Sequence, residues 1–199
     1  MTTNDQVYIN KILDGDTSAF TVLVDRYKDL VYTLSLRMMK NREEAEEVAQ
    51  DTFIKVYKSL TKFKGDSKFS TWIYKVAYNT CLDRLKKNKR QQYTVAIDEY
   101  TEHQVKTIDN ALDKIEEQEK QQAIKNCLEL LPSEDSFLLT LYYFEELSLD
   151  EISKITSLKP NNVKVKIFRS RKKLATILKG QLDNETIESY EGSYRTAFR

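Results

Sequence analysis

The residues from Phe63 to Lys87 combine cations with flat aromatic rings at spacings that suit a nucleic acid. Lys75, Asn79 and Lys86 recur at near-helical intervals, so they share one side of a helix. Cations for phosphates and rings for unpaired bases are the chemistry of single-stranded nucleic-acid binding. An amphipathic core helix with solvated lysines has the same pattern, and this stretch alone leaves both interpretations open. The aromatic side chains are Phe63, Phe69, Trp72, Tyr74 and Tyr78.

Helices must position these groups, because the chain has only 4 Gly and 2 Pro in 199 residues. One of these glycines, Gly65, centres the turn Lys64-Gly65-Asp66-Ser67, which ends one helix and aims the next. The composition therefore predicts an all-α fold, with enough residues for one domain or two small ones.

Charge is unevenly distributed although the net charge is only +1. From Lys62 to Arg90 there are nine Lys or Arg and two acids, and from Lys159 to Lys179 there are eight and none. Between them, from Asp98 to Lys120, acids outnumber bases eight to three. Two basic blocks separated by an acidic connector indicate two contact points on one polyanion.

The second basic block lies in a helix-turn-helix pattern. Ser148 is placed to cap a short helix, Thr156-Ser157-Leu158 makes a tight turn, and Pro160 opens a second helix whose outer surface is basic. Such a helix fits the major groove of DNA, whereas an ordinary basic helical hairpin remains the alternative. The basic residues predicted on its outer surface are Lys164, Lys166, Arg169, Arg171, Lys172 and Lys173.

Other signals predict where helices begin and which residues they bury. Asn41 and Glu44 form a capping-box pattern, and the helix that follows leaves Ile54 among polar neighbours. An exposed apolar side chain there would suit a partner helix, although one surface isoleucine is unremarkable in itself. We also expect Ser133 to cap a helix, Thr17 or Ser18 to cap another, and Ile9, Ile12 and Leu13 to form an apolar edge.

Several kinds of site are disfavoured. Cys81 and Cys127 are far apart and there is one histidine, His103, so we expect reduced structural cysteines and no metal, cofactor or catalytic site. No apolar run approaches the length of a membrane span, and the first residues lack an export signal. The expected location is the cytoplasm.

Four segments, in this order, resemble the extracytoplasmic-function group of bacterial sigma factors. They are EEVAQDTFIKVYKSL, FKGDSKFSTWIYKVAYNTCLDRL, LPSEDSFLLTLYYFEELSLDEISKIT and VKVKIFRSRKKL. The resemblance implies a non-enzymatic subunit that binds core RNA polymerase and directs it to promoter DNA, with no small-molecule substrate. Members of the group are often held inactive by an anti-sigma protein, commonly membrane-tethered, so the resemblance makes a partner of that kind a candidate here.

The resemblance also implies roles for individual residues. In the family, one helix docks on the polymerase core, the glycine loop and next helix read and melt the −10 element, and the recognition helix reads the −35 element. The implied core-binding residues are Glu47, Gln50, Asp51 and Ile54. The implied −10 residues are Ser59, Phe63, Trp72, Lys75 and Asn79. The implied −35 residues are Asn161, Asn162, Lys164, Val165, Phe168, Arg169, Arg171 and Lys172.

The predicted organisation is two small helical domains, 1–90 and 113–179, with the helix-turn-helix in the second. Residues 91–112 would be a flexible acidic linker, and residues 180–199 a tail of unknown role. The alternative function is a stand-alone helix-turn-helix regulator whose first 90 residues form a dimerisation or sensor domain.

Overall fold

The computed structural model describes residues 5–91 and 117–181, with side chains for 5–88 and 124–178. Within these ranges the chain forms eight α-helices and two short 3-10 turns and no strand, which confirms the all-α prediction there. The first four helices are α1 (Asp5–Leu13), α2 (Phe20–Met39), α3 (Arg42–Ser59) and α4 (Phe69–Gln91). The others are α5 (Glu117–Leu130), α6 (Ser133–Tyr143), α7 (Leu149–Thr156) and α8 (Pro160–Gln181).

The entry into α2 differs from the prediction. A 3-10 turn, Thr17–Ala19, precedes the helix. Asp16 caps this turn: its side chain accepts hydrogen bonds from the amides of Ser18 and Ala19 at 3.1 and 3.3 Å. The extra turn moves the capping position one residue before Thr17, so neither Thr17 nor Ser18 is the cap. The prediction that Leu13 belongs to the apolar edge of α1 is also wrong, because Leu13 ends the helix with 47% of its surface exposed.

Half of the capping box at α3 forms. The Asn41 side chain accepts from the Glu44 amide at 3.0 Å, as predicted. The Glu44 carboxylate instead accepts from the side-chain amide of Asn88 on α4, at 2.9 Å. Glu44 therefore ties α3 to α4, and the two helices pack along their length. The buried side of α3 consists of Ala45, Val48, Ala49 and Val56, with Phe53 half-buried, and Leu60 continues it in the turn that follows.

The helix-turn-helix forms from α7 and α8. Ser148 and Glu151 make a complete capping box at α7, and Pro160 is the first residue of α8, both as predicted. Ser157 closes the turn in the left-handed region with φ 59°, and the Ser153 hydroxyl donates to the Leu158 carbonyl at 2.6 Å. Ser133, in contrast, does not cap α6: it is the first helical residue, and Pro132 occupies the cap position without a side-chain hydrogen bond.

The two groups of helices pack against each other. Helix α2 contacts α6, and α4 contacts α7, so one hydrophobic cluster runs through both groups. Phe137 of α6 is fully buried with its ring 5.0 Å from that of Tyr78 on α4. Cys81 and Cys127 are both buried and are not joined in a disulfide, as predicted, and burial raises the pKa of Cys81 to about 12.

Most of the predicted linker and tail falls outside the described ranges. Residues 92–112 and 182–199 lie outside the described residues. Helix α8 runs two residues past the predicted domain end at 179. Among the described helices, none is both long enough and apolar enough to cross a bilayer.

Candidate nucleic-acid interface

The turn before α4 presents a small aromatic cluster. The rings of Phe63, Phe69 and Trp72 lie with centroids 5.4 to 5.6 Å apart. Phe69 is buried, whereas Phe63 and Trp72 are half-buried and keep part of each ring open to solvent. Gly65 centres the turn with φ 79°, a left-handed conformation that favours glycine, and a Cβ there would contact nothing within 4 Å. The backbone beside the cluster is therefore unobstructed.

Two polar side chains continue this surface along α4. Lys75 and Asn79 are exposed and lie about one and two turns beyond Trp72 on the same side of the helix. Ser59, at the end of α3, is half-buried and donates its hydroxyl to the Lys55 carbonyl at 2.6 Å. The structure thus groups Phe63 with Trp72 and aligns Lys75 with Asn79, while the Ser59 hydroxyl is bonded to its own helix.

The tyrosines of α4 serve another purpose. Tyr74 and Tyr78 are buried and point toward the second group of helices, where Tyr78 donates to Glu134 at 3.0 Å. Burial and, next, the nearby acids raise the pKa of both hydroxyl groups, so they remain protonated donors. The sequence left them undecided between nucleic acid and core, and the structure places them in the core.

The outer face of α8 carries a mixed basic and apolar surface. Lys164 and Arg169 are exposed, and Val165 and Phe168 each keep 48% of their surface open. The Lys172 ammonium lies 4.7 Å from the centre of the Phe168 ring. A half-exposed phenylalanine under a cation is suited to pack against a base methyl group while the cation meets a phosphate.

Four other predicted residues flank this face. Asn161 and Asn162 are exposed in the first turn of α8, and Arg171 and Lys172 are half-buried. The Arg171 guanidinium lies 5.9 Å from the centre of the Tyr143 ring. Asn161 and Asn162 are therefore near the open N-terminal end of the helix, where backbone amides favour an anion.

Two lysines do not belong to that outer face. Lys166 pairs with Glu134 at 2.6 Å, and Lys173 pairs with Asp135 at 2.7 Å. Both acids lie in the first turn of α6, which packs against α8. The prediction that Lys166 and Lys173 face outward is wrong, because helix periodicity cannot reveal acids contributed by another helix.

Helix α3 exposes the third predicted surface. Glu47, Gln50, Asp51 and Ile54 are all solvent-accessible, and Ile54 keeps 51% of its surface open. The neighbouring Tyr57 also keeps 41% open, with its ring 5.1 Å from that of Phe20. This surface therefore joins two apolar side chains to two carboxylates and an amide.

The comparisons with known proteins agree with this arrangement. Residues 23–91 match the family model for Sigma-70 region 2, and residues 121–174 match that for Sigma-70 region 4. The chain is 36% identical over 172 residues to the ECF RNA polymerase sigma factor SigW of Bacillus subtilis, covering 83% of this chain and 92% of that protein. It is 32% identical over 173 residues to the RNA polymerase sigma-H factor of Pseudomonas aeruginosa, covering 84% and 90%.

The chain belongs to the extracytoplasmic-function family of RNA polymerase sigma factors. It is a sigma factor that directs transcription initiation, binding the polymerase core and promoter DNA. The region 2 match, over residues 23–91, covers most of the first 90 residues, which the alternative assigned to a sensor or dimerisation domain; this favours the sigma factor over a stand-alone regulator.

Solved structures show the same fold. CnrH in complex with the cytosolic domain of CnrY superposes with a TM-score of 0.61 at 19% identity, covering 89% of this sigma factor and 99% of that chain. The sigma factor RpoE in complex with the anti-sigma factor NepR from Bartonella quintana gives 0.60 at 15% identity, covering 82% and 98%.

Sequence reasoning missed two residues at the α3 surface of the sigma factor. Arg84 of α4 contacts Glu47 at 2.8 Å and Asp51 at 3.8 Å, so it holds both carboxylates toward α4. Tyr57 enlarges the apolar area around Ile54. The spacing of Ile54 and Tyr57, three residues apart on one helix, was the available signal for Tyr57. No local signal pointed to Arg84, because its partners lie more than thirty positions away in the sequence.

Proposed function

We propose that the sigma factor divides its work among three surfaces. The α3 surface binds the polymerase core, the Gly65 turn with α4 recognises the −10 element, and α8 recognises the −35 element. The observation that carries the proposal is exposure: apolar side chains at the matching positions, Ile54 and Phe168 among them, remain half open to solvent. Exposed apolar side chains of this kind mark interaction sites, because only a bound partner can cover them.

At the −10 element, the sigma factor captures a base extruded from the melted strand. Extrusion costs a few kcal/mol, and stacking on an aromatic ring returns about 1–3 kcal/mol per base. The partly open rings of Phe63 and Trp72 supply the stacking surface, and the exposed Asn79 amide supplies both a donor and an acceptor for a base edge. Lys75, on the same side of α4, binds the backbone phosphate, and Ser59 lines the opposite edge of the site for the extruded base.

At the −35 element, α8 lies in the major groove. Lys164 and Arg169 reach guanine edges, the commonest specific contact of this kind, while Val165 and Phe168 contact thymine methyl groups. Asn161, Asn162, Arg171 and Lys172 bind phosphates and fix the register of the helix. Each good bidentate contact discriminates against a wrong base by about 1–3 kcal/mol.

At the polymerase core, Ile54 and Tyr57 form an apolar centre, and Glu47, Gln50 and Asp51 form a polar rim. This is the usual anatomy of a protein interface. The acidic rim fits a basic partner surface, and Arg84 holds two of its carboxylates in position before binding.

The two DNA-reading surfaces act together. Linking two weak sites raises the effective concentration of the second once the first is bound, so neither surface needs high affinity for duplex DNA alone. The sigma factor is accordingly a non-catalytic subunit that works in the cytoplasm, where core polymerase and promoter DNA are found. Its domains would be 1–90 and 113–179, with 91–112 as the linker and 180–199 as a tail.

An anti-sigma partner is part of the proposal. One structural relative, RpoE, is complexed with an anti-sigma factor, and another, CnrH, with the cytosolic domain of CnrY. A protein of the same kind would bind this sigma factor and hold it inactive.

The deciding experiment is run-off transcription with reconstituted core polymerase on a promoter library. We expect sigma-dependent transcripts from a subset of templates that share −10 and −35 sequences. A complete absence of sigma-dependent transcripts would refute the proposal.

Asn79→Ala tests the −10 assignment within this assay. We expect loss of discrimination among −10 sequences with core binding retained, because Asn79 is exposed and supports no described contact in the core. Asn10→Ala, at an exposed asparagine of α1, is the matched control and should leave discrimination unchanged. If Asn79→Ala abolishes core binding instead, the −10 site has been misplaced.

A further inference from the structure

Three aromatic residues at the end of α6 belong to none of the proposed binding surfaces. Tyr142, Tyr143 and Phe144 follow one another in the sequence, and they keep 37%, 46% and 40% of their surfaces exposed. The backbone that carries them is ordered, because the Phe144 amide donates to the Thr140 carbonyl at 3.0 Å and closes the last turn of the helix. The end of α6 is therefore a fixed support for three partly open rings.

The ring of Tyr143 contacts a cation of α8. The Arg171 guanidinium lies 5.9 Å from the centre of this ring, which is within the range of a cation–π contact. The Tyr143 ring also meets the ring of Tyr142 edge-on, with centroids 5.0 Å apart and planes at 90°. The neighbouring ring restricts Tyr143, so Arg171 rests on a side chain that is itself held in place.

Contacts with both ends of α6 fix the position of α8. The buried Ser170 hydroxyl donates to Asp135, in the first turn of α6, at 2.6 Å. Arg171 contacts Tyr143, the last residue of the same helix. At 100° per residue, Arg171 lies about 140° around α8 from Lys166, which pairs with the first turn of α6. Helix α6 thus passes from one flank of α8 to the other, and Tyr143 lies on the flank of Arg171.

That flank is an edge of the outer face of α8. Arg171 follows Lys164 by seven residues, so the two differ by only about 20° around the helix and by about 10 Å along it. Recognition helices contact base edges with their N-terminal residues. A cation at the edge of the face and further along the helix is therefore placed for the wall of the groove, which is phosphate backbone.

A ring beneath an arginine changes how that arginine binds a phosphate. A long flexible side chain loses conformational freedom on binding, and stacking on an aromatic face removes part of that freedom beforehand. The ring of Tyr143 has no net charge, so this contact orders the Arg171 guanidinium without neutralising it. Ordering that precedes binding raises the affinity for the phosphate.

We propose that Tyr143 is a positioning residue for the −35 contact. Its ring orients the Arg171 guanidinium toward a backbone phosphate of the duplex, and the guanidinium makes the contact. The proposal rests on the proposed assignment of α8 to the −35 element. Because phosphates carry no sequence information, Tyr143 acts on the affinity for every −35 sequence alike and leaves base preference to Lys164 and Arg169.

Competition binding of reconstituted holoenzyme to −35 variants, at several salt concentrations, tests this role. The variants are Tyr143→Leu, Tyr143→Phe, Arg171→Ala and the double variant that combines Tyr143→Leu with Arg171→Ala. Phe144→Leu is the matched control, because Phe144 is 40% exposed at the same end of α6 and no cation among the described residues lies over its ring. Denaturant titration of each variant verifies that it is folded.

We expect Arg171→Ala to weaken binding and to reduce the slope of log affinity against log salt concentration by about 0.9, the value for one phosphate. Tyr143→Leu should weaken binding to every −35 sequence by about 2- to 5-fold, because the effect cannot exceed the strength of an exposed cation–π contact. Tyr143→Phe keeps the ring and should bind within about 1.5-fold of the native protein, as should Phe144→Leu. In the Arg171→Ala background, Tyr143→Leu should have no further effect.

The double variant separates a positioning role from a structural one. Equal weakening by Tyr143→Leu with and without Arg171 would overturn the proposal, because the ring would then act through the fold. Native affinity in Tyr143→Leu beside weakened binding in Arg171→Ala would also overturn it, while leaving the phosphate contact of Arg171 in place. Native affinity and salt slope in Arg171→Ala would refute that phosphate contact, which belongs to the proposed function, and the role of Tyr143 with it.

A second measurement detects the contact in the full-length free protein by NMR. Protons over the face of an aromatic ring are shifted upfield by its ring current. The side-chain protons of Arg171 should therefore resonate upfield in the native protein and in Tyr143→Phe, and return to ordinary positions in Tyr143→Leu. Arg171→Lys identifies the resonances. Ordinary positions in the native protein would contradict the stacking on which the proposal depends.

Discussion

Replacing Ile54 by alanine tests whether the α3 surface is a binding surface. Full burial of an isoleucine side chain contributes about 1.5–3 kcal/mol. Because 51% of Ile54 remains exposed in the free protein, a partner that covers it recovers about half of that, or about 0.8–1.5 kcal/mol. At 1.4 kcal/mol for each factor of ten, Ile54→Ala should weaken core binding by about 4- to 12-fold.

The assay is a titration of fluorescently labelled sigma factor with core polymerase, read by anisotropy. Denaturant unfolding of the same variants reports the stability of the free protein. Leu13→Ala is the matched control, because Leu13 is 47% exposed and lies on a different helix, α1. We expect Leu13→Ala to match Ile54→Ala in unfolding, within about 0.5 kcal/mol, and to leave the core affinity unchanged. Equal core affinity for the two variants would refute the role of Ile54.

Three further predictions concern the helix-turn-helix and Lys40. Ser148→Ala removes the capping box of α7 and should lower the unfolding free energy by about 1 kcal/mol, measured by denaturant titration. Arg169→Ala should relax base preference within the −35 element by about 1–3 kcal/mol, whereas Lys172→Ala should weaken binding to every −35 sequence by the same factor. Competition binding of holoenzyme to −35 variants distinguishes the two effects. Because the pKa of Lys40 is lowered, the folded protein releases this proton near pH 8, whereas the unfolded chain keeps it. The unfolding free energy of the native protein, relative to that of Lys40→Met, should therefore rise from pH 7 to pH 9. Paired unfolding titrations of the two proteins measure this difference.

Much of the local structure was predictable because its causes are local. The Ser148 capping box, the entry at Pro160 and the exposure of Ile54 all depend on residues within one helical turn or on one helical period. The predictions of cap positions were wrong where a neighbouring turn changed the geometry. Asp16 replaces Thr17 or Ser18 because a 3-10 turn intervenes, and Pro132 takes the position expected for Ser133.

The candidate sites were only partly accessible to sequence reasoning. Resemblance supplied the implied roles, and the structure supplied the exposure of each side chain, while the roles themselves stay predictions. The Arg84 contacts with Glu47 and Asp51 could not be predicted, because they join two helices through side chains far apart in the sequence.

The sequence by itself determined the helical fold, the caps that start α3 and α7, the helix-turn-helix and the family. These follow from composition, periodicity and motifs that short segments carry. Only the tertiary structure decided what the Phe63–Lys87 stretch does with its aromatic rings: Phe63 and Trp72 stay partly open, while Tyr74 and Tyr78 are buried against the second group of helices. The physical reason is that periodicity defines a face of a helix, whereas the partner of that face depends on Phe137, Glu134 and Glu145, which are contributed from more than fifty residues away.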